Sequence, residues 1–322
     1  MENTITENDF FENPFEAKKP DTTIDEFLME LKNEITKTKD EKLEAEQLAR
    51  LKDIASVYQG DDRLISSLDL VDIIKNKPSE TQMFSGFAGL DDILKGFRLK
   101  QLIVLSAATK SGKTSFAIDM TSHLRQYNPM WLPFEEGAEE LVTKFIEREE
   151  TPPMFFTPEN ITGNTLKWVE KKIIESIAKF DTKIIFIDHL HFIVPFATER
   201  QDLMIGQTMR SLKTMAKKWN ICIVIIAHLK KTKLDTSPTL DDLRDSSFIA
   251  QEADTVIMLW RESKRENGDV ITTNNVNVSI QANRRTGKTG NIKMVYDNGH
   301  FKEYDWKKLD DDLEKDFNQQ KF

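Results

Sequence analysis

An apolar run, Leu102-Ile103-Val104-Leu105, leads almost directly into Ala107-Ala108-Thr109-Lys110-Ser111-Gly112-Lys113-Thr114. The spacing is that of a phosphate-binding loop, with Ala107 where the usual pattern has its first Gly. Such a loop sits between a strand and a helix, because its backbone N–H groups and the helix N-terminus together form an anion site. The helix is expected to open near Ser115. Residues Ala107 to Ser115 then cradle the phosphates of ATP or another nucleoside triphosphate, with Lys113 on the outer phosphates and the Thr114 hydroxyl on Mg²⁺. A chance Gly-Lys-Thr would lack the strand before it and the helical pattern after it.

The texture around the loop is α/β. Strand-like runs fall at Leu102–Leu105, Met130–Phe134, Lys183–Ile187, Ile221–Ala227, Thr255–Trp260, Val276–Ala282 and Ile292–Tyr296. Helical patterns fall between them at Ser115–Gln126, Ala138–Glu147, Thr165–Phe180 and Gln201–Asn220. This alternation predicts a mostly parallel sheet with helices on both faces. The last strands lack long helices between them and are expected to pair antiparallel.

Four segments are expected along the chain. Residues 1–22 read as a disordered tail, and 23–79 as a helical segment. Within that segment Thr23 and Glu26 fit a capping box, a second helix spans about 40–58, and a third spans Ser67–Ile74. Residues 80–306 form the ATPase domain and 307–322 an acidic mobile tail. The formal net charge is −9, and residues 1–79 hold 19 acidic against 11 basic side chains. The acidity therefore lies mostly outside the loop-bearing region and does not exclude a nucleic-acid partner there. The only cysteine, Cys222, excludes an intrachain disulfide and a Cys-cluster zinc site and fits a reducing cytoplasm. No apolar run is long enough for a bilayer, and Met1-Glu2-Asn3-Thr4 is not a signal sequence.

A phosphate loop alone says only that a nucleotide binds. Ile184-Ile185-Phe186-Ile187-Asp188 is an apolar strand ending in a carboxylate, suited to supporting Mg²⁺ beside Thr114. Pro133-Phe134-Glu135-Glu136 brings a carboxylate to another strand end, where it can activate water; Glu135 is preferred and Glu136 is the reserve. Ile225-Ile226-Ala227-His228 ends a third strand in a side chain able to sense the γ-phosphate. Asn283-Arg284-Arg285-Thr286-Gly287 follows a strand, and either Arg can reach a neighbour's nucleotide. Gly287-Lys288-Thr289 imitates a second phosphate loop, but no helical pattern follows it.

Together these residues resemble the motor domain of DnaB-type replicative helicases, a branch of the RecA-like ATPases, over about residues 83 to 305. Phe84-Ser85-Gly86-Phe87-Ala88-Gly89-Leu90-Asp91 and Leu94-Lys95-Gly96-Phe97 resemble the family's lead-in to the loop. Met209 to Ala216 resembles the helix before its sensor strand. Leu240-Asp241-Asp242-Leu243-Arg244-Asp245-Ser246-Ser247, followed by Gln251-Glu252-Ala253-Asp254, is similar to the segment holding its DNA-binding loop. The resemblance implies that Arg244, Asp245 and Ser247 face single-stranded DNA, and that Tyr296 lies near the nucleotide base. It also implies a homo-hexamer moving 5′→3′. His228-Leu229-Lys230 resembles the phage helicase–primases and Twinkle-like members, whereas bacterial members usually carry Gln there. Ser247 stands where the family prefers Gly. The family's large N-terminal domain has no match in 1–79, so residues 23–79 are expected either to join subunits or to bind a primase, loader or other replication protein. The rival readings are a RecA- or KaiC-like recombination or regulatory ATPase, and a nucleotide-gated adaptor or loader.

Overall fold

The computed structural model describes residues 65–77, 79–107, 111–148, 152–195, 201–228, 238–243, 246–266 and 269–304. Several expectations lie outside these residues: the two tails, the helices before residue 60, Ala108, Thr109, Lys110, Arg244 and Asp245. Ser247 lies in a described helix, but its side chain is outside the description. The chain divides into two compact units, Met1–Pro78 and Ser79–Phe322.

In the first unit the described element is helix α1 (Ser67–Asn76), whose N-cap Ser66 accepts from the Asp69 N–H at 3.1 Å. Its Leu68, Leu70, Val71, Ile73 and Ile74 are exposed.

The second unit runs β1 (Gln82–Met83), α2 (Ala88–Leu94), β2 (Phe97–Arg98), β3 (Leu102–Ala107), α3 (Lys113–His123), β4 (Met130–Pro133), α4 (Ala138–Ile146), α5 (Leu166–Phe180), β5 (Ile184–Asp188), α6 (Gln201–Lys218), β6 (Cys222–His228), α7 (Ser246–Glu252), β7 (Thr255–Glu266), β8 (Asp269–Asn283), β9 (Gly290–Asp297) and β10 (His300–Glu303). Strands β1 and β2 form a small antiparallel pair. The others form one eight-stranded sheet in the order β10-β9-β8-β7-β3-β6-β5-β4. The five strands from β7 to β4 are mutually parallel, and β8, β9 and β10 add antiparallel.

Two apolar layers explain why the parallel strands read as unbroken hydrophobic runs. Along β3, Ile103 and Leu105 face a core shared with Phe116 and Met120 of α3 and Leu141 and Phe145 of α4. Leu102 and Val104 face the opposite core, with Val169 and Ile173 of α5 and Ile205, Met209 and Leu212 of α6. Successive side chains alternate between faces, so a strand covered on both sides must be apolar throughout.

The expected elements are present with shifted ends. The helix after the loop begins at Lys113 rather than near Ser115 and ends at His123 rather than Gln126, with a short 3₁₀ turn at Arg125–Tyr127. Strands β7 and β8 extend into a long hairpin beyond the apolar segments Thr255–Trp260 and Val276–Ala282. Gly287-Lys288-Thr289 leads into strand β9, not a helix.

Candidate active site

The C-terminal ends of β3, β6, β5 and β4 lie side by side. Ala107 is in register with His228, and Asp188 pairs with Ile226 on one side and Pro133 on the other. One edge of the sheet therefore brings together the loop after β3, His228, Asp188 and the Glu135-Glu136 turn.

Gly112 closes the described part of the loop as the N-cap of α3, with φ +88. Only a residue without a side chain fits there, since a Cβ would meet Phe301 Cζ at 2.9 Å. Lys113 follows, 7% exposed, and its ammonium donates to His228 Nδ1 at 3.1 Å. Burial lowers its pKa, opposed by the charges of Asp188 and Glu135. Because an ammonium only donates, Nδ1 accepts and the ring proton sits on Nε2, which faces Glu135 Oε2 at 3.5 Å. Burial, then the neighbouring Lys113 and His189, lower the His228 pKa, against the pull of Glu135. Lys113, His228 and Glu135 thus form one polar chain across the site.

Thr114 Oγ1 donates to Asp188 Oδ2 at 3.3 Å. Burial, then Glu135 and Glu136, raise the Asp188 pKa to about 7, opposed by Lys113 and Thr114. A carboxyl lifted by crowded negative charge beside a hydroxyl offers hard oxygen ligands where a cation is missing, which fits Mg²⁺. The two glutamates differ: Glu136 is ion-paired with Lys144 of α4, whereas Glu135 faces His228.

His189 is a site residue that the sequence pattern does not single out. It follows Asp188 with φ 76, and its ring lies 4.7 Å from that of His228. Ligating atoms of Glu135, His189 and His228 lie within 4.8 Å of one another. The proton on His228 Nε2 nevertheless makes that edge a donor toward Glu135 rather than a lone pair for a metal. A strand-end residue in the left-handed region is the signal that marks His189, and it is invisible without a backbone.

Arg261 is likewise hidden in the sequence, because the apolar run of β7 ends at Trp260. Its guanidinium lies 4.9 Å from the centre of the Tyr296 ring. Both line a cavity of about 240 Å³ with Ser111, Gly112 and Ser115, so Tyr296 adjoins the phosphate loop.

A buttress stands behind that cavity. Asp119 of α3, buried, pairs with Arg148 at 3.1 Å and His300 Nδ1 at 3.1 Å, and accepts from the Phe301 N–H at 2.8 Å. Burial raises the Asp119 pKa against these partners. Phe301 then packs edge-on to Phe116 at 5.1 Å, beneath Gly112.

The two arginines after β8 are at the opposite edge of the sheet. Asn283 pairs with Thr255, and Thr255 with Ile103 near the start of β3. Four residues of strand, about 13 Å, separate that level from Ala107. Arg285 is held on the Leu94 and Lys95 carbonyls at the end of α2. Arg284 is exposed.

The sequence profile described as the DnaB-like helicase C-terminal domain matches residues 83–152 and 139–305. A probable replicative DNA helicase of Trieres chinensis is 25% identical over 293 residues, covering 76% of this chain and 63% of that protein. The replicative DNA helicase DnaB of Geobacillus stearothermophilus is 23% identical over 278 residues, covering 76% of this chain and 60% of that protein. The chain therefore spans less than two thirds of the length of either relative. Among solved structures, the ATPase domain of a phage helicase superposes with a TM-score of 0.62 at 20% identity, covering 74% of this chain and 96% of that one. A DnaB-like replicative helicase studied with primase gives 0.63 at 19% identity, covering 88% and 76%. These likenesses match the eight-stranded α/β architecture described above.

Proposed function

Because this chain belongs to the family of DnaB-like helicase C-terminal domains, we propose that it is the ATP-driven motor of a six-membered ring that moves 5′→3′ on single-stranded DNA and separates strands. The observation that carries this reading is the polarity of the sheet. Lys113, Thr114, Asp188, Glu135 and His228 crowd one edge, and Arg284 stands at the other. An arginine so far from its own phosphate loop serves a nucleotide only in a second copy of the chain, which favours a ring over a monomeric switch.

On ATP binding, Lys113 leaves His228 for the outer phosphates. Mg²⁺, when bound beside Thr114 and Asp188, would offset phosphate charge. Glu135 accepts a proton from water as the water oxygen attacks the γ-phosphorus, and the oxygen bridging the β- and γ-phosphates leaves with the electron pair of the broken bond. His228, already facing Glu135, is suited to sensing loss of the γ-phosphate. Arg284 of the next copy stabilises charge on the transferring group. Arg261 and Tyr296 offer a stacking slot for the base. Arg244, Asp245 and Ser247 would contact DNA. The exposed apolar side of α1 supports a role for residues 23–79 in joining subunits or in binding a primase, loader or other replication protein. A cytoplasmic setting suits these partners.

Molar mass measured with ATP and single-stranded DNA, beside ATPase rates and unwinding of a forked duplex, tests the reading. A hexamer with DNA-stimulated turnover is expected. Strand exchange without unwinding would favour a recombinase. Turnover that is negligible and unmoved by DNA would favour an adaptor. A Lys113→Ala chain with parental turnover would remove the assigned site.

A further inference from the structure

One residue fastens the turn that carries Arg284. The Arg284 N–H donates to the Asp254 carbonyl at 2.8 Å. Asp254 also clamps the first residue of β3 twice: its N–H donates to the Leu102 carbonyl at 2.8 Å, and its carboxylate accepts from the Leu102 N–H at 2.7 Å. Lys213 of α6 ion-pairs with the same carboxylate and donates to the Lys100 carbonyl at 2.9 Å. The two charged side chains are only 14% and 16% exposed. A surface β-turn needs no such investment. A charge pair withdrawn from water holds its geometry only when further hydrogen bonds satisfy it, as they do here.

Asp254 is also the point where α7 enters the sheet. Helix α7 ends at Glu252, followed by the buried Ala253. Glu252 pairs with Arg210 of α6 at 2.9 Å. Phe248 lies so close to α6 that a Cβ on Gly206 would come within 2.9 Å of its ring. Helices α6 and α7 therefore move as one piece, and both reach Asp254: α7 through the chain, α6 through Lys213. On the other side of the turn Arg285 is tied to α2. The turn is thus anchored at both ends, and the guanidinium left to project is that of Arg284.

We propose that Asp254 is a positioning residue for Arg284, fixing the finger turn on the sheet edge and relaying to it the position of α7, the helix that continues the proposed DNA-facing segment. The proposal rests on the reading of Arg284 given above. An arginine acting across a subunit boundary gains from a rigid base, since an error of about 1 Å in a catalytic group costs on the order of 10²-fold in rate.

The test is a double-mutant cycle on the full-length ring with single-stranded DNA. Asp254→Ala should lower kcat about 10²-fold and leave KM for ATP within about twofold of the parent, because the phosphate loop of the same copy is untouched. Asp254→Asn, which keeps an oxygen for the Leu102 N–H, should lose less. The double variant D254A/R284A should be no slower than R284A alone, as expected when one residue acts only through the other. Losses that multiply in the double variant, or a KM that rises in step with the fall in kcat, would overturn the proposal. If D254A does not assemble, D254N in the same cycle decides between the same two outcomes. An R284A chain with parental kcat would instead refute the finger reading, so the single variant separates the two failures.

Discussion

Asp188→Asn should stabilise the nucleotide-free chain while destroying its activity. The Asp188 side chain is 3% exposed. Burial, together with the charges of Glu135 and Glu136, lifts its pKa from 3.8 to about 7. The folded-state value lies above the unfolded one. The stability linked to the protonated group is therefore fully present below about pH 3.8 and is lost as pH rises through about 7. Near pH 8.5 both states are ionised and the shift amounts to about 4 kcal/mol; near pH 5.5, where the folded state keeps its proton, about 2 kcal/mol. Asparagine keeps an oxygen for the Thr114 hydroxyl and carries no charge at either pH. At about 2–4 °C per kcal/mol for a chain of this size, the variant should melt about 8–16 °C above the parent near pH 8.5, with roughly half that margin near pH 5.5. Thermal unfolding followed by circular dichroism, without nucleotide or Mg²⁺, measures both. A variant that melts below the parent at the higher pH, or a margin that does not narrow at the lower one, would refute the idea that Asp188 is held at an electrostatic cost until a cation arrives.

Two further perturbations separate neighbouring residues. Glu135→Gln should lower kcat by about 10²–10⁴-fold with nucleotide binding retained in a fluorescent-analogue titration, whereas Glu136→Gln, which weakens an ion pair to Lys144, should stay within about tenfold of the parent; equal losses would remove the distinction between them. Phe301→Ala should cost about 3–5 kcal/mol in thermal or denaturant unfolding and should weaken nucleotide binding as well, because its ring fills the space beneath Gly112; a loss of stability with unchanged nucleotide affinity would mean that the ring serves the core alone.

The strands and helices that carry the site were legible because burial on both faces leaves a compositional mark. Residues 221–227 are apolar without a break, and each is buried. The strand ends could be read for the same reason: Asp188 and His228 are where the apolar runs stop. Elements whose stability comes from distant partners left no such mark. Strand β10 is four residues long, with Phe301 as its one large apolar side chain, and its composition resembles the tail after it. Helix α2 has no side-chain cap; instead Asp91 accepts from the Ser85 and Gly86 N–H groups at 2.8 and 3.2 Å, folding the segment before it. The difference between Arg284 and Arg285 depends on carbonyls 190 residues earlier in the chain. The difference between Glu135 and Glu136 depends on which one Lys144 reaches.

The contact between the C-terminal hairpin and the phosphate-loop helix bears on the order in which a ribosome could produce a working site. Asp119 and Phe301 are 182 residues apart in the chain. At ordinary translation speeds of about 5–20 residues per second, roughly 10–40 s pass between the emergence of the two. During that interval the loop, its helix and the five parallel strands can pair, but Gly112 has no ring beneath it and Asp119 lacks two of its partners. A nascent chain in this state presents a half-built pocket to a cell rich in nucleotides and to other nascent copies. Because the floor of the pocket arrives last, commitment to ligand, and through ligand to neighbours, is deferred until the whole second unit has left the ribosome.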